Sequence, residues 1–153
     1  MFGRARGFLP ILAALALAAC ASQTAPLSAS GTYTPKDAVF MAADAAPKPV
    51  PGIFVMTVRA TGRQDGNIYL NSELDYRDQR NLSIEICPPA FDGLQAHFGS
   101  EPDKFFLDKR IAVTGQARRV KIHFMVNGAP SDKYYYQTHV TVCSAGQIAL
   151  AKP

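Results

Sequence analysis

The sequence predicts a mainly β domain of five strands, with one short helix between the third and the fourth, carried behind an apolar leader and a tether. Three observations predict it. Beyond Val50, apolar residues recur at every second position, the period of a half-buried strand. The alternating runs are separated by turn-forming clusters: "GRQDGN", "PP" and "NGAPSD". Only "AFDGLQAHF", in that region, has helical spacing.

Composition bounds the domain. The chain has 153 residues, 48% of them hydrophobic, and a formal charge of +4. Residues 1–19 hold Arg4 and Arg6 and no acid, so removing those two cations leaves +2 from Cys20 onward. Such a balance selects neither a polyanionic nor a polycationic partner. Once the leader is subtracted, the length suits one compact domain.

The leader comes first. "MFGRARG" is positively charged, and "FLPILAALALAA" is an apolar run of 12 residues. A bilayer span needs about 20, so the run reads as a signal-peptide core. Leu17-Ala18-Ala19-Cys20 resembles the lipobox of bacterial lipoproteins, in which small residues precede a cysteine that becomes diacylated. The resemblance implies a lipoprotein signal peptide at 1–19 and a lipid on Cys20. With Ala21 where Asp would retain the protein at the inner membrane, it also implies an outer-membrane address, the domain facing the periplasm. Acyl chains bury at about 0.8 kcal/mol per methylene, so several on one residue anchor stably.

Residues 20–50 are rich in Ala, Ser, Thr and Pro and show no alternation, which predicts a lipid-anchored flexible tether. A coil of about 30 residues averages roughly 30 Å end to end. Within it a short helix is expected at 35–46, because Thr34-Pro35-Lys36-Asp37 sets an N-cap before Pro at the first helical position. "APKPVPG" then stops the helix, and the domain is expected at 51–151.

The first strand, about Ile53 to Thr61, places Phe54, Met56 and Val58 on one face. The second, Asn67 to Ser72, is expected to bury Ile68 and Leu70 and expose Tyr69 and Asn71. The third, Asn81 to Cys87, buries Leu82, Ile84 and Ile86 and exposes Ser83, Glu85 and Cys87. The fourth starts near Lys109 and the fifth ends near Cys143. In the fourth, Ile111 and Val113 are apolar at odd numbers, while Val120, Ile122, Phe124 and Val126 are apolar at even ones. That change predicts a bulge or break between Gly115 and Arg119. Pairing Phe124 with Tyr134 and Ile122 with Tyr136 keeps apolar against apolar. It also gathers Arg119, Lys121, His123, Tyr135 and His139 on the other face.

Five strands with a helix after the third is the order of an OB-fold, a small Greek-key barrel. "IYLNSELDYRDQRNLSIEI", "KRIAVTGQA" and "VTVCSAGQIAL" resemble single OB-fold domains of the nucleic-acid-binding type, over about Val50 to Leu150. The chain departs from them where Asp108-Lys109 replaces Gly-Lys and where Cys143-Ser144-Ala145-Gly146 replaces an acidic-proline turn. The likeness implies that the third and fifth strands run parallel and adjacent. With Cys20 taken by lipid, Cys87 and Cys143 remain for an oxidising compartment. They end those neighbouring strands, so a disulfide between them is expected.

Function is less legible. In "SELDYRDQR", Glu73, Asp75, Arg77, Asp78 and Arg80 nearly cancel in charge, and a short loop supplies no further metal ligands from a strand. The face of the second and third strands offers one aromatic, Tyr69, beside Glu85, which repels phosphate. Basic and aromatic residues cluster instead on the last hairpin. The candidate ligand-binding residues are therefore Tyr69, Arg118, Arg119, Lys121, His123, Tyr135 and His139. No nucleophile motif, phosphate loop or metal-ligand spacing occurs, so no catalytic residue, metal or cofactor is expected. The expectation is an outer-membrane-anchored, non-catalytic binding or assembly module with an envelope protein or glycan as partner. Nucleic-acid or anionic-glycan binding through the basic hairpin is the alternative, ahead of an envelope hydrolase.

Overall fold

A computed structural model describes residues 31–152; the leader, Cys20 and the start of the tether lie outside the described residues. The chain forms β1 (Thr32–Tyr33), α1 (Pro35–Ala45), β2 (Val50–Thr57), β3 (Ala60–Gln64), β4 (Asn67–Asn71) and β5 (Leu82–Ile86). There follow α2 (Phe91–Phe98), α3 (Pro102–Phe106), β6 (Arg110–Val126), β7 (Ala129–Val142) and β8 (Ile148–Leu150). The fold is thus mainly β, one mixed sheet of eight strands ordered β1-β2-β6-β7-β5-β4-β3, with β8 beside β6. β1 runs parallel to β2, and β5 runs parallel to β7.

The eight strands arise where five were expected because the first strand is divided and two short strands are added at its neighbours. β2 and β3 are separated by Val58 and Arg59, where successive N–H groups turn to different partners. Val58 N donates to Lys109 O at 2.9 Å, and Arg59 N donates to Asn71 O at 2.8 Å. The single expected helix is also two, because Gly99 stops α2 and Pro102 starts α3 afresh.

The segment expected as tether is structured from Thr32. Thr34 Oγ1 accepts from Asp37 N at 3.3 Å and the Asp37 carboxylate accepts from Thr34 N at 3.0 Å, a capping box that starts α1. One turn apart on this helix, Ala38 and Ala42 are fully buried against the sheet. Small side chains let α1 approach closely, and they are also why no amphipathic signal marked it. β1 docks because Tyr33 lies across Gly52, where a Cβ would stand 2.5 Å from the ring. The core between helices and sheet is apolar, with Phe54, Leu70, Ile84, Phe106, Ile111 and Val140 wholly buried. Each such side chain stabilises the fold by roughly 1.5–3 kcal/mol.

The last hairpin corrects the sequence reading. No bulge falls between Gly115 and Arg119; β6 runs unbroken, and its register with β7 is irregular only between His123 and Met125. Ile122 stands opposite Tyr135 rather than Tyr136, and Tyr134 opposes His123 rather than Phe124. Odd residues of β6 therefore keep one face throughout. The apolar positions change parity because β6 outgrows the core. Past Ala117 the face that was inward carries Arg119, Lys121 and His123 beside Thr138, Tyr136 and Tyr134. The outer face carries Val120 and Ile122 beside Gln137 and Tyr135.

Candidate functional site

That outer face forms the floor and one wall of a cleft of about 570 Å³. Its floor is Tyr69 on β4, Glu85 on β5, and Gln137 and His139 on β7. Val120 and Ile122 of β6 stand on one side. Arg63 of β3 and the loop residues Leu74 and Tyr76 complete the lining.

The loop between β4 and β5 is held by a buried polar cluster around Asn81, which is 2% exposed. Its Nδ2 donates to Asn71 Oδ1 at 3.1 Å, Ser83 Oγ at 2.9 Å and Tyr76 O at 3.3 Å. Its Oδ1 accepts from Glu73 N at 3.1 Å and Ser72 Oγ at 3.3 Å. Asn71 and Ser83, expected on the exposed side of their strands, are buried here. Strand alternation alone places them outward; the loop folding over the strand ends covers them. Above the cluster, the loop charges pair locally. Arg77 meets Asp75 at 3.1 Å, Arg80 meets Asp78 at 2.7 Å, and Arg59 of the β2–β3 junction meets Glu73 at 3.2 Å. Hydrogen bonds from the Arg80 side chain and backbone hold the Asp78 carboxyl at about 2. With its carboxylates engaged, the loop projects Leu74 and Tyr76, which are 71% and 52% exposed.

A hydrogen-bonded chain runs along the cleft floor. Gln137 Nε2 donates to Tyr76 O at 3.3 Å and to the Tyr135 hydroxyl at 3.2 Å. His139 Nε2 donates to Gln137 Oε1 at 2.6 Å, which leaves Nδ1 facing Glu85 Oε2 at 3.9 Å. Glu85 Oε1 accepts from Asn67 Nδ2 at 2.8 Å and from the Tyr69 hydroxyl at 3.2 Å. Burial pushes His139 below its usual value, against the opposing pull of Glu85, so the imidazole is neutral. Burial likewise raises Tyr69, which keeps its hydroxyl proton. The charge left in the cleft is negative: Glu85 and Asp65 are present, while Arg63 binds Asp103 at 2.8 Å and Glu101 at 3.1 Å.

The seven candidate ligand residues divide between two surfaces. Tyr69 and His139 lie on the cleft floor. Tyr135 shares their face but leans on Phe124, with ring centroids 5.3 Å apart. Arg118 also points this way, opposite His139, and donates to Gln116 Oε1 at 2.9 Å. Arg119, Lys121 and His123 are on the reverse side. There Arg119 lies 3.7 Å over the ring of Tyr136 and Lys121 lies 4.3 Å over Tyr134. His123 Nδ1 is 2.9 Å from Ser131 O. The register shift explains the separation, because the expected grouping needed Tyr135 and His139 on the same side as Arg119.

Cys87 and Cys143 are joined by a disulfide, with Cα atoms 5.0 Å apart. They follow the last parallel pair, Ile86 and Val142, at the ends of β5 and β7. The bond fixes two floor strands to one another. Among the described residues no three His, Cys, Asp or Glu side chains converge as a metal site. Leu74, Tyr76, Gln137 and Arg63 were not singled out by sequence. The doubled Asp-x-Arg of Asp75–Arg77 and Asp78–Arg80 was the available signal, since short acidic side chains bond the backbone two residues on and order a loop.

No protein-family model matches the chain, and no curated protein does. Among solved structures, a protein described as an aspartyl-tRNA synthetase from Leishmania major Friedlin aligns over 85% of this chain and 22% of its own length. The identity is 11% and the TM-score 0.38. The chain spans about a fifth of that protein, and a likeness so low carries no argument.

Proposed function

We propose that this protein is a lipid-anchored binding module of the outer membrane, facing the periplasm, whose cleft receives an uncharged or cationic part of an envelope protein or glycan without doing chemistry on it. The lipobox-like Leu17-Ala18-Ala19-Cys20 supports the anchor. We also infer that β2 and β3 are two halves of one bent strand, which closes the sheet as an OB-type barrel of five principal strands. The divergent bonds of Val58 and Arg59 to either side of the break support that closure.

The observation that carries the binding reading is the pre-organised cleft floor. Glu85, Tyr69, His139 and Gln137 already hold one another in place, so a ligand meets fixed acceptors and aromatic edges without reordering them. A polyanion is disfavoured there, because Glu85 is present and Arg63 is already paired. The test is a photo-cross-linking residue at Leu74 in the full chain in living cells. A discrete adduct that disappears with Tyr69→Ala supports the cleft. Adducts indifferent to that substitution, or none, overturn it. Mass spectrometry of membrane-extracted protein should find diacylglycerol on Cys20, and Cys20→Ser should release the protein from membranes.

A further inference from the structure

The end of the β6–β7 hairpin has exposed residues that the cleft does not use. Past Ala117, β6 pairs only with β7, and before Thr138, β7 pairs only with β6, so a two-stranded ribbon projects from the sheet. At its turn, Asn127 and Gly128 take φ of 51° and 78°, the backbone of a tight hairpin. Beside the turn, Phe124, Met125 and Val126 are 46%, 63% and 57% exposed. Consecutive apolar residues on a strand point to both faces, so Phe124, Met125 and Val126 put apolar surface on each face of the ribbon near its tip. Behind them on β6 come Arg118, Arg119 and Lys121, while Asp132 and Lys133 of β7 lie level with Phe124.

We propose that this hairpin tip inserts into the anionic lipid surface to which Cys20 ties the chain, so that the ribbon props the domain on its own membrane. The orientation half of this statement rests on the anchoring proposed above; the affinity of the tip for lipid does not. Three observations carry it. The exposed apolar tip extends over about 10 Å from Phe124 to the turn at strand rise, close to the roughly 5–10 Å to which interfacial segments bury. The cations follow where phosphate headgroups lie, the arrangement that binds anionic lipid.

The third observation is geometric. β1 runs parallel to β2 and therefore antiparallel to β6, with Thr32 level with Ile53 and Thr114. The chain thus enters β1 at the end of the sheet from which the hairpin leaves. From Thr114 to Asn127 is thirteen residues, about 40 Å of strand. From Thr32 back to Cys20 is twelve, and twelve residues reach at most about 43 Å when fully extended. A lipid on Cys20 therefore holds the sheet at most about as far from the membrane as the hairpin reaches.

The sequence contains no Trp, so Met125→Trp places a unique reporter at the tip. The experiment uses the chain from Ala21 to Pro153, which keeps every residue of the described fold and has no lipid. It is mixed with vesicles of phosphatidylethanolamine and phosphatidylglycerol, and with vesicles of phosphatidylcholine alone. We expect cosedimentation with the anionic vesicles, a blue shift of the indole, and quenching by brominated acyl chains. Replacing Phe124, Met125 and Val126 together by Ser should weaken sedimentation at least tenfold. Replacing Arg119, Lys121 and Lys133 by Ser should do the same, and added salt should erase that difference. Circular dichroism checks that each variant is folded. Failure of the parent chain to sediment, or sedimentation without a shift of the indole, overturns the proposal. A self-associated dimer with the tip shielded in the absence of lipid overturns it in favour of a second copy at the open strand edges. Vesicle binding that persists while Cys20 proves unmodified in cells would refute the anchor and leave the lipid-binding tip standing.

Discussion

The cleft floor and the hairpin tip are made from the same two strands, β6 and β7, and they behave as different materials. Up to Ala117 β6 pairs with β2, from Thr138 onward β7 pairs with β5, and at that border His139 and Gln137 are locked into a hydrogen-bonded chain. Beyond that line each strand has one partner, and its cations lie on tyrosine faces instead of on carboxylates. The difference teaches that side-chain pattern on a strand is read relative to what covers it. Past Ala117, the even-numbered Val120 and Ile122 line the cleft, while Phe124 and Val126 meet water.

The sharpest way to break this contrast is at the disulfide, which closes 56 residues of chain around the cleft floor. In the chain-entropy model a loop of that size stabilises by roughly 4 kcal/mol. The variant Cys87→Ala with Cys143→Ala should lose about that much in urea unfolding. Hydrogen exchange should accelerate at the ends of β5 and β7 and stay unchanged beyond Ala117. A loss below about 1 kcal/mol would show that the strand pairing alone holds the floor.

Asn81→Ala should come next. It removes five hydrogen bonds and leaves Asn71, Ser72 and Ser83 buried with fewer partners. Loss of a buried polar hub costs about 2–4 kcal/mol. The same change should free Leu74 and Tyr76 and expose the loop to protease. Phe124→Ser, at an exposed hairpin site, should stay within about 0.5 kcal/mol.

A smaller effect separates the regions by pH. Because burial lowers His139 in the folded protein, the unfolded chain takes up its proton first as pH falls. Stability from this residue is therefore complete above the unfolded value of about 6.5 and declines below it. Thermal unfolding should show a falling Tm between pH 7.5 and 5, with a shallower fall in His139→Gln. An identical slope in that variant would assign the pH dependence elsewhere.

These regions were unequally legible in the sequence. Period-two patterning placed β4, β5 and the end of β7 within a residue or two, and parallel neighbours at the third and fifth strands brought Cys87 beside Cys143 as expected. Patterning failed wherever a residue's cover came from outside the strands themselves. Asn71 and Ser83 alternate as exposed residues but lie under the loop that Asn81 anchors. Ala38 and Ala42 carry too little apolar surface to mark a buried helix face. The hairpin register was misread because apolar was matched to apolar where no core exists to enforce the match.

The smallest effect probes that register directly. With Lys121 opposite Tyr136 and Arg119 opposite Thr138, the guanidinium of Arg119 reaches diagonally to lie 3.7 Å over the Tyr136 ring. The alternative register, with Ile122 opposite Tyr136, would turn that ring away from Arg119. A double-mutant cycle of Arg119→Ala and Tyr136→Ala tests which is present. Exposed cation–π pairs contribute about 0.5–1 kcal/mol, so the cycle should return a coupling of that size, little reduced by salt. The same cycle on Arg119 and Tyr135, which lie on opposite faces, should return none. Coupling to Tyr135 in place of Tyr136 would shift the hairpin by one residue and regroup Tyr135 and His139 with the cations. The division between cleft and tip would then fail with it.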